Sequence, residues 1–233
     1  MKEIVAALKS KGYWQAIFAP TIELAGRVTD RTSVAARLEQ VAVNFRGWDY
    51  PHVDPNRDVI IDAKSVWQKT EWRYFHELWC AFPSGQLLHV AGMRTDYGAD
   101  LQVSPMEEVQ AGELVLGIGD ALWRMTEFVH FASRYAGMIC PGESLRAVME
   151  VGGLRNRRLV VDDPGRGSTS TRYVCHSADP EILETTVEAG ESVAALSGRA
   201  RGLAMKLYER FGFGTSDRLL QGWQEQLIYY PRS

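Results

Sequence analysis

The chain has 233 residues, 45% of them hydrophobic and 24% charged, and carries a formal net charge of −3. That length is enough for a sizeable core, and the charged fraction is that of an ordinary globular chain, which excludes disorder as the default state. No apolar run approaches the ~18 residues that span a bilayer, and the mild acidity argues against a protein built to coat nucleic acid.

Residues 3–11 read as a short amphipathic helix stopped at Gly12. The same stretch, MKEIVAALKSKG, offers no small-residue cleavage site, so no secretory signal is expected. Tyr13 to Ala19 is an aromatic, apolar strand closed by Pro20. Thr32 or Ser33 caps a helix to about Val41, with Val34, Leu38 and Val41 on one face. Gly47 and Pro51 then bracket Trp48 and Tyr50 in a tight turn, and Val59 to Asp62 is a short β-branched strand.

Between Ser65 and Met93 lies the clearest alternation: Tyr74, His76, Leu78, Cys80 and Phe82 against Phe75, Glu77, Trp79 and Ala81. Pro83-Ser84-Gly85-Gln86 supplies a turn, and Leu87 to Met93 returns. Large side chains on both faces predict a hairpin covered on both sides. Glu113 to Ile118 is a strand feeding a helix that runs from Asp120, its N-cap, to about Met138, with Leu122, Met125, Val129, Ala132 and Ala136 as its apolar stripe. Ser144 to Val151 and Leu159 to Val161 pair across Gly152-Gly153.

Residues 162–172 are a polar surface loop, followed by short strands near Tyr173–His176 and Ile182–Val187. The longest helix runs from about Ser192 to Phe211, and Ser216 caps a last one carrying Leu219, Leu220, Trp223 and Leu227. With no linker or repeat dividing it, the chain is expected to form a single α+β domain over residues 1–233, a largely antiparallel sheet with the two long helices packed on a face.

Four constellations carry candidate chemistry. On the helix from Asp120, the residues Trp123, Glu127, His130 and Arg134 share one face, with Arg124 three before Glu127. A carboxylate, an imidazole and a guanidinium together suit a small polar ligand or acid–base work, and equally an ion-pair ladder. In the turn, Arg46, Trp48, Asp49 and His52 alternate aromatic and polar groups, as recognition surfaces do; the structural alternative makes Trp48 and Tyr50 core plugs, with Arg46 and Asp49 bonding the loop backbone. Arg155, Arg157 and Arg158 cluster beside the Gly152-Gly153 turn, followed by Arg166 and Arg172 in the polar loop; the first three are expected to project from the sheet as the polar edge of an anion-binding surface, the alternative being a solubilising hairpin tip.

The fourth is Asp62-Ala-Lys64 after a β-branched strand. It matches a metal-nuclease pattern in which Asp62, with Asp49 or Asp54, holds Mg²⁺ and Lys64 polarises water. The histidines are isolated and no spacing matches a zinc site. Gly117-x-Gly119 precedes a helix but lacks the third glycine of a dinucleotide fingerprint. Neither a metal nor a cofactor is expected. Three scattered cysteines, Cys80, Cys140 and Cys175, fit a reducing cytoplasm rather than a disulfide framework.

Several stretches taken together carry a resemblance: Gly12-Tyr13-Trp14 with Ala19-Pro20-Thr21; Arg46 to His52; Leu122 to Glu127; Gly152 to Leu159; and a closing helix ending in Phe211-Gly212-Phe213. They resemble the α+β domain found at the C-terminal side of many bacterial ATP-binding and helix-turn-helix regulators of the Schlafen/AlbA type, and beside, or as, uncharacterised proteins of bacterial defence neighbourhoods. The resemblance implies an accessory, sensor-like or interaction domain without established catalytic residues. The DNA-binding or nuclease module of the larger proteins is not read in this sequence, so those activities are not carried over. The expectation is a cytoplasmic, non-enzymatic binding or sensor module for a protein, nucleotide or nucleic-acid signal. A partner protein or an anionic small ligand is favoured over nucleic acid by the net charge, and no membrane is involved. The alternative is a metal-dependent nuclease or hydrolase using Asp62 and Lys64.

Overall fold

A computed structural model describes residues 1–105, 107–169 and 171–229. In chain order its elements are α1 (Lys2–Lys9), β1 (Tyr13–Pro20), α2 (Val34–Val41), β2 (Ile60–Ile61), β3 (Val66–Trp72), β4 (Phe75–Ala81) and β5 (Leu87–Gly92). A 3₁₀ turn at Arg94–Tyr97 follows, then β6 (Val115–Gly117), α3 (Ile118–Ile139), β7 (Ser144–Gly152), β8 (Arg158–Val160), β9 (Tyr173–Val174), β10 (Glu181–Glu188), α4 (Val193–Glu209) and α5 (Asp217–Tyr229).

Seven strands form one sheet in the order β10-β7-β1-β5-β4-β3-β2, every neighbour antiparallel. A small second sheet, β6-β8-β9, pairs β6 with β8 in parallel. The fold is α+β.

Alternation sets what each sheet face carries. On β1, Trp14, Ala16 and Phe18 point to one side, and β7 adds Leu145, Ala147, Met149 and Val151 beside them. The long helix α3 lies on that face. Phe18 meets Phe128 at 5.3 Å and Phe131 edge-on at 5.0 Å between ring centres. α4 and α5 close over α3. The opposite face is partly covered by α1, whose Leu8 joins Leu78, Cys80 and Val90 in a smaller core. The hairpin β4–β5 is thus covered from both sides, as its two apolar faces predict.

The structure departs from the sequence reading at two places that bear on the site. β3 is a full strand, paired with β4 from Val66–Ala81 to Trp72–Phe75. And α3 begins at Ile118, with Asp120 inside its first turn rather than at the cap. The cap carboxylate comes from elsewhere in the chain: Gly119 N donates to Asp162 Oδ1 at 2.6 Å and Asp120 N to Asp162 Oδ2 at 2.7 Å. Both donors are first-turn amides that the helix itself cannot satisfy. Among the described residues no helix is long and apolar enough to cross a membrane.

Candidate functional site

The turn after α2 is closed locally. Val43 and Tyr50 exchange backbone hydrogen bonds, Gly47 adopts φ +74°, and Gly47 N donates to Asn44 Oδ1. Tyr50 anchors this loop in the core while Arg46 is thrown towards α3. Asp120 and Glu127 stand two helical turns apart on the facing side of α3, and one guanidinium spans them. Arg46 Nε and Nη2 donate to the two oxygens of Glu127 at 2.8 and 2.6 Å, and Nη1 donates to Asp120 Oδ1 at 2.6 Å. Arg94, from the 3₁₀ turn after β5, donates Nη2 to that same Asp120 oxygen at 2.7 Å. Arg124 lies 3.6 Å from Glu127 and over the Tyr50 ring.

Beneath this layer, inward-facing positions of the sheet are polar. Glu77 receives Trp48 Nε1–H at 2.7 Å and pairs with His89 Nε2 at 2.7 Å. Arg46, Arg94 and Arg124 therefore gather on Asp120 and Glu127, while Glu77 is met by Trp48 and His89. Burial works against charge on Asp120, but the Arg94 and Arg46 guanidiniums hold its carboxyl well below the usual range. Glu77 is likewise held low against burial, by its bonds from His89 and Trp48. Buried ion pairs of this kind rarely repay their desolvation in stability, and these gather between α3, the turn after α2 and the 3₁₀ turn.

Above the network opens a cavity of about 750 Å³, in the size range of small-molecule sites. Phe45 and Trp123 supply flat apolar wall, and Arg46, Arg94, Asp163 and Arg166 supply charged groups. Arg166 is engaged: it pairs with Asp163 at 2.9 Å, lies 3.8 Å over the Trp223 ring and donates to Gln226. Among the described residues Arg94 uses one of its N–H donors, on Asp120. It is the guanidinium with most capacity left for a ligand.

The residues singled out from the sequence divide clearly. Arg46, Trp48, Asp49, Arg124 and Glu127 surround one small opening next to the cavity, and Trp123 lines the cavity itself. Trp48 is half-buried rather than a core plug: its ring is stacked between His52 and Phe75, 3.9 Å from each. The core plug is Tyr50 alone. Arg46 bonds the α3 carboxylates instead of loop backbone, and Asp49 accepts from Asn44 Nδ2. His130 is buried edge-on against Phe45; burial first, then the charge of Arg134, lower its pKa to about 4. Arg134 itself turns away and donates to the Ala42 carbonyl.

The arginine cluster at the Gly152-Gly153 turn does not project as expected. Arg157 is fully buried, forked onto Asp96 at 2.9 and 2.6 Å with further bonds to the carbonyls of Val115 and Gly153. Arg158 is buried between Glu107 and Glu113. Only Arg155 is exposed. The reason is that this turn is not a free tip: Gly153 sits so close to the backbone of Gly12 that a Cβ would lie 2.6 Å from its Cα. The two arginines therefore stitch β8 to β6 and the 3₁₀ turn. Asp62 shapes a turn, its Oδ1 accepting from Lys64 N and Ser65 N. Among the described residues no three His, Cys, Asp or Glu side chains converge as metal ligands.

Sequence reasoning missed Arg94, Glu77, His89 and Asp162, and misassigned Asp120, whereas Arg166 of the polar loop does line the cavity. Glu77 and His89 had a readable signal, since each alternates with apolar residues on the inward face of β4 and β5, where a charge needs a partner. Arg94 and Asp162 had none, because their partners are brought by the fold from distant segments.

No protein-family model matches this chain, and neither a curated protein nor a solved structure is significantly similar to it.

Proposed function

We propose that the protein is a non-enzymatic binding or sensor module, and that its ligand is a small anion bearing a flat ring, a nucleotide being the class that fits best. The cavity of about 750 Å³ carries this reading: aromatic wall from Phe45 and Trp123 ends at Arg94, whose uncommitted donors suit phosphate. Arg46 behind it is fixed by Glu127 and Asp120, so the anionic end of the site is preorganised and pays little ordering cost on binding. The sensor-like role implied by the resemblance is kept as part of this proposal. The nuclease alternative gains no supporting observation, because Asp62 spends its carboxylate on its own turn.

The test is a thermal-shift panel of adenosine, guanosine, cytidine and uridine 5′-monophosphates and their parent nucleosides, run on wild type and Arg94→Gln. The expected result is stabilisation by at least one monophosphate, weaker stabilisation by its nucleoside, and loss of the difference in Arg94→Gln. Equal shifts in the variant, or none in the wild type, overturn the reading.

A further inference from the structure

Arg94 stands between two spaces. Besides the cavity of Phe45 and Trp123, it lines a second cleft of about 260 Å³, together with Tyr74, Thr95, Asp100 and Asp120. The two spaces differ in chemistry. The first has an aromatic wall. The second presents two carboxylates and a hydroxyl beside one aromatic ring. Asp100 is exposed and takes part in no hydrogen bond among the described residues. Among the described residues both hydrogen bonds to the Asp120 side chain go to its Oδ1, and none reaches Oδ2. Thr95 donates to the Val115 carbonyl, so its oxygen retains acceptor capacity.

Such a cleft repels phosphate and gives an apolar group nothing in exchange for stripping water from two carboxylates. Hydroxyl groups satisfy it, because each O–H can donate to a carboxylate oxygen in a charge-assisted bond. The Arg94 guanidinium at the junction disfavours a cationic occupant. The order along the site is therefore aromatic wall, guanidinium, carboxylates with hydroxyl.

From this order we propose that the ligand is a nucleoside diphosphate whose terminal phosphate carries a sugar, with the base in the larger cavity, the diphosphate at Arg94 and the sugar in the cleft at Asp100 and Thr95. The proposal rests on the nucleotide reading above and specifies the class of ligand. Calorimetric titration of wild type, Asp100→Ala and Arg94→Gln with UMP, UDP and UDP-glucose, and with AMP, ADP and ADP-ribose, tests it. Asp100 is exposed and makes no hydrogen bond or ion pair among the described residues, so its variant is expected to keep the wild-type melting temperature.

In the series whose base fits, the sugar-bearing diphosphate should bind at least tenfold more tightly than the bare diphosphate. Asp100→Ala should reduce that advantage to within about threefold without weakening the bare diphosphate, and Arg94→Gln should weaken both. Two results overturn the assignment of the sugar while leaving the nucleotide reading intact. One is a diphosphate that binds through Arg94 with no gain from its sugar; the other is a gain that Asp100→Ala leaves unchanged. Failure of every nucleotide to bind overturns both.

Discussion

Arg46 is held by three hydrogen bonds from its guanidinium to Glu127 and Asp120, and Glu127 is almost wholly buried. Removing one member of such a pair leaves the other as an uncompensated buried charge, which typically costs about 3–5 kcal/mol. Glu127→Ala is accordingly expected to lose about that much in urea unfolding, whereas Arg46→Met combined with Glu127→Leu should lose less than the sum of the single changes. A double variant that costs the full sum would show that the pair is not coupled.

Two further residues make opposite contributions to pH dependence. His130 is held neutral, with its pKa near 4 against about 6.5 in the unfolded chain, so the unfolded state binds more protons in that window and this group makes stability rise with pH. Asp162 is pushed up to about 6, chiefly by burial and then by the Asp120 charge, against an unfolded value near 3.9. The folded state binds more protons there, and this group makes stability fall as pH rises. Between pH 4 and 6, His130→Gln should therefore make the slope of stability against pH less positive than in wild type, and Asp162→Asn more positive. Parallel slopes in all three proteins contradict both assignments. At this scale the sequence made Arg46, Arg124 and Glu127 legible, because a turn rich in paired polar and aromatic groups and a helical i,i+3 spacing are local patterns. It could not show that Arg157 and Arg158 face inward, because their partners Asp96, Glu107 and Glu113 lie more than forty residues away in the chain.

At the scale of elements, the entry into α3 decides where the cavity lies. β6 delivers Gly117 and Gly119 against Asp162, and the absence of side chains lets its carboxylate reach the first-turn amides. A Cβ on Gly117 would stand 2.1 Å from Asp162 Oδ2. Gly117→Ala is therefore expected to displace the cap and cost about 1–2 kcal/mol, the usual worth of a lost N-cap. Faster hydrogen exchange at residues 118–121 would accompany it, and an unchanged melting temperature would contradict the capping role. The Gly-x-Gly spacing is thus explained by the approach of a protein carboxylate. Most elements were legible from periodicity within a few residues. β3 was the least visible, because Val66, Gln68 and Thr70 present a mixed face that becomes inward-facing only once β4 lies alongside.

For the whole molecule, α3 packs on one face of the antiparallel sheet, and the arginines that bond its carboxylates, Arg46 and Arg94, also line the open cavity. The α+β class and the helices covering one face followed from the alternation of strands and the stripes of the long helices. The cavity did not, since Phe45, Arg94, Trp123 and Arg166 come from four separate segments. Hydrogen exchange read by mass spectrometry, with and without a saturating nucleoside diphosphate, tests that account most directly. It predicts slowed exchange in the segments around residues 44–48, 94–100, 117–124 and 163–167, with the edge strand β10 unchanged. Protection confined to other segments, or none anywhere, would contradict it.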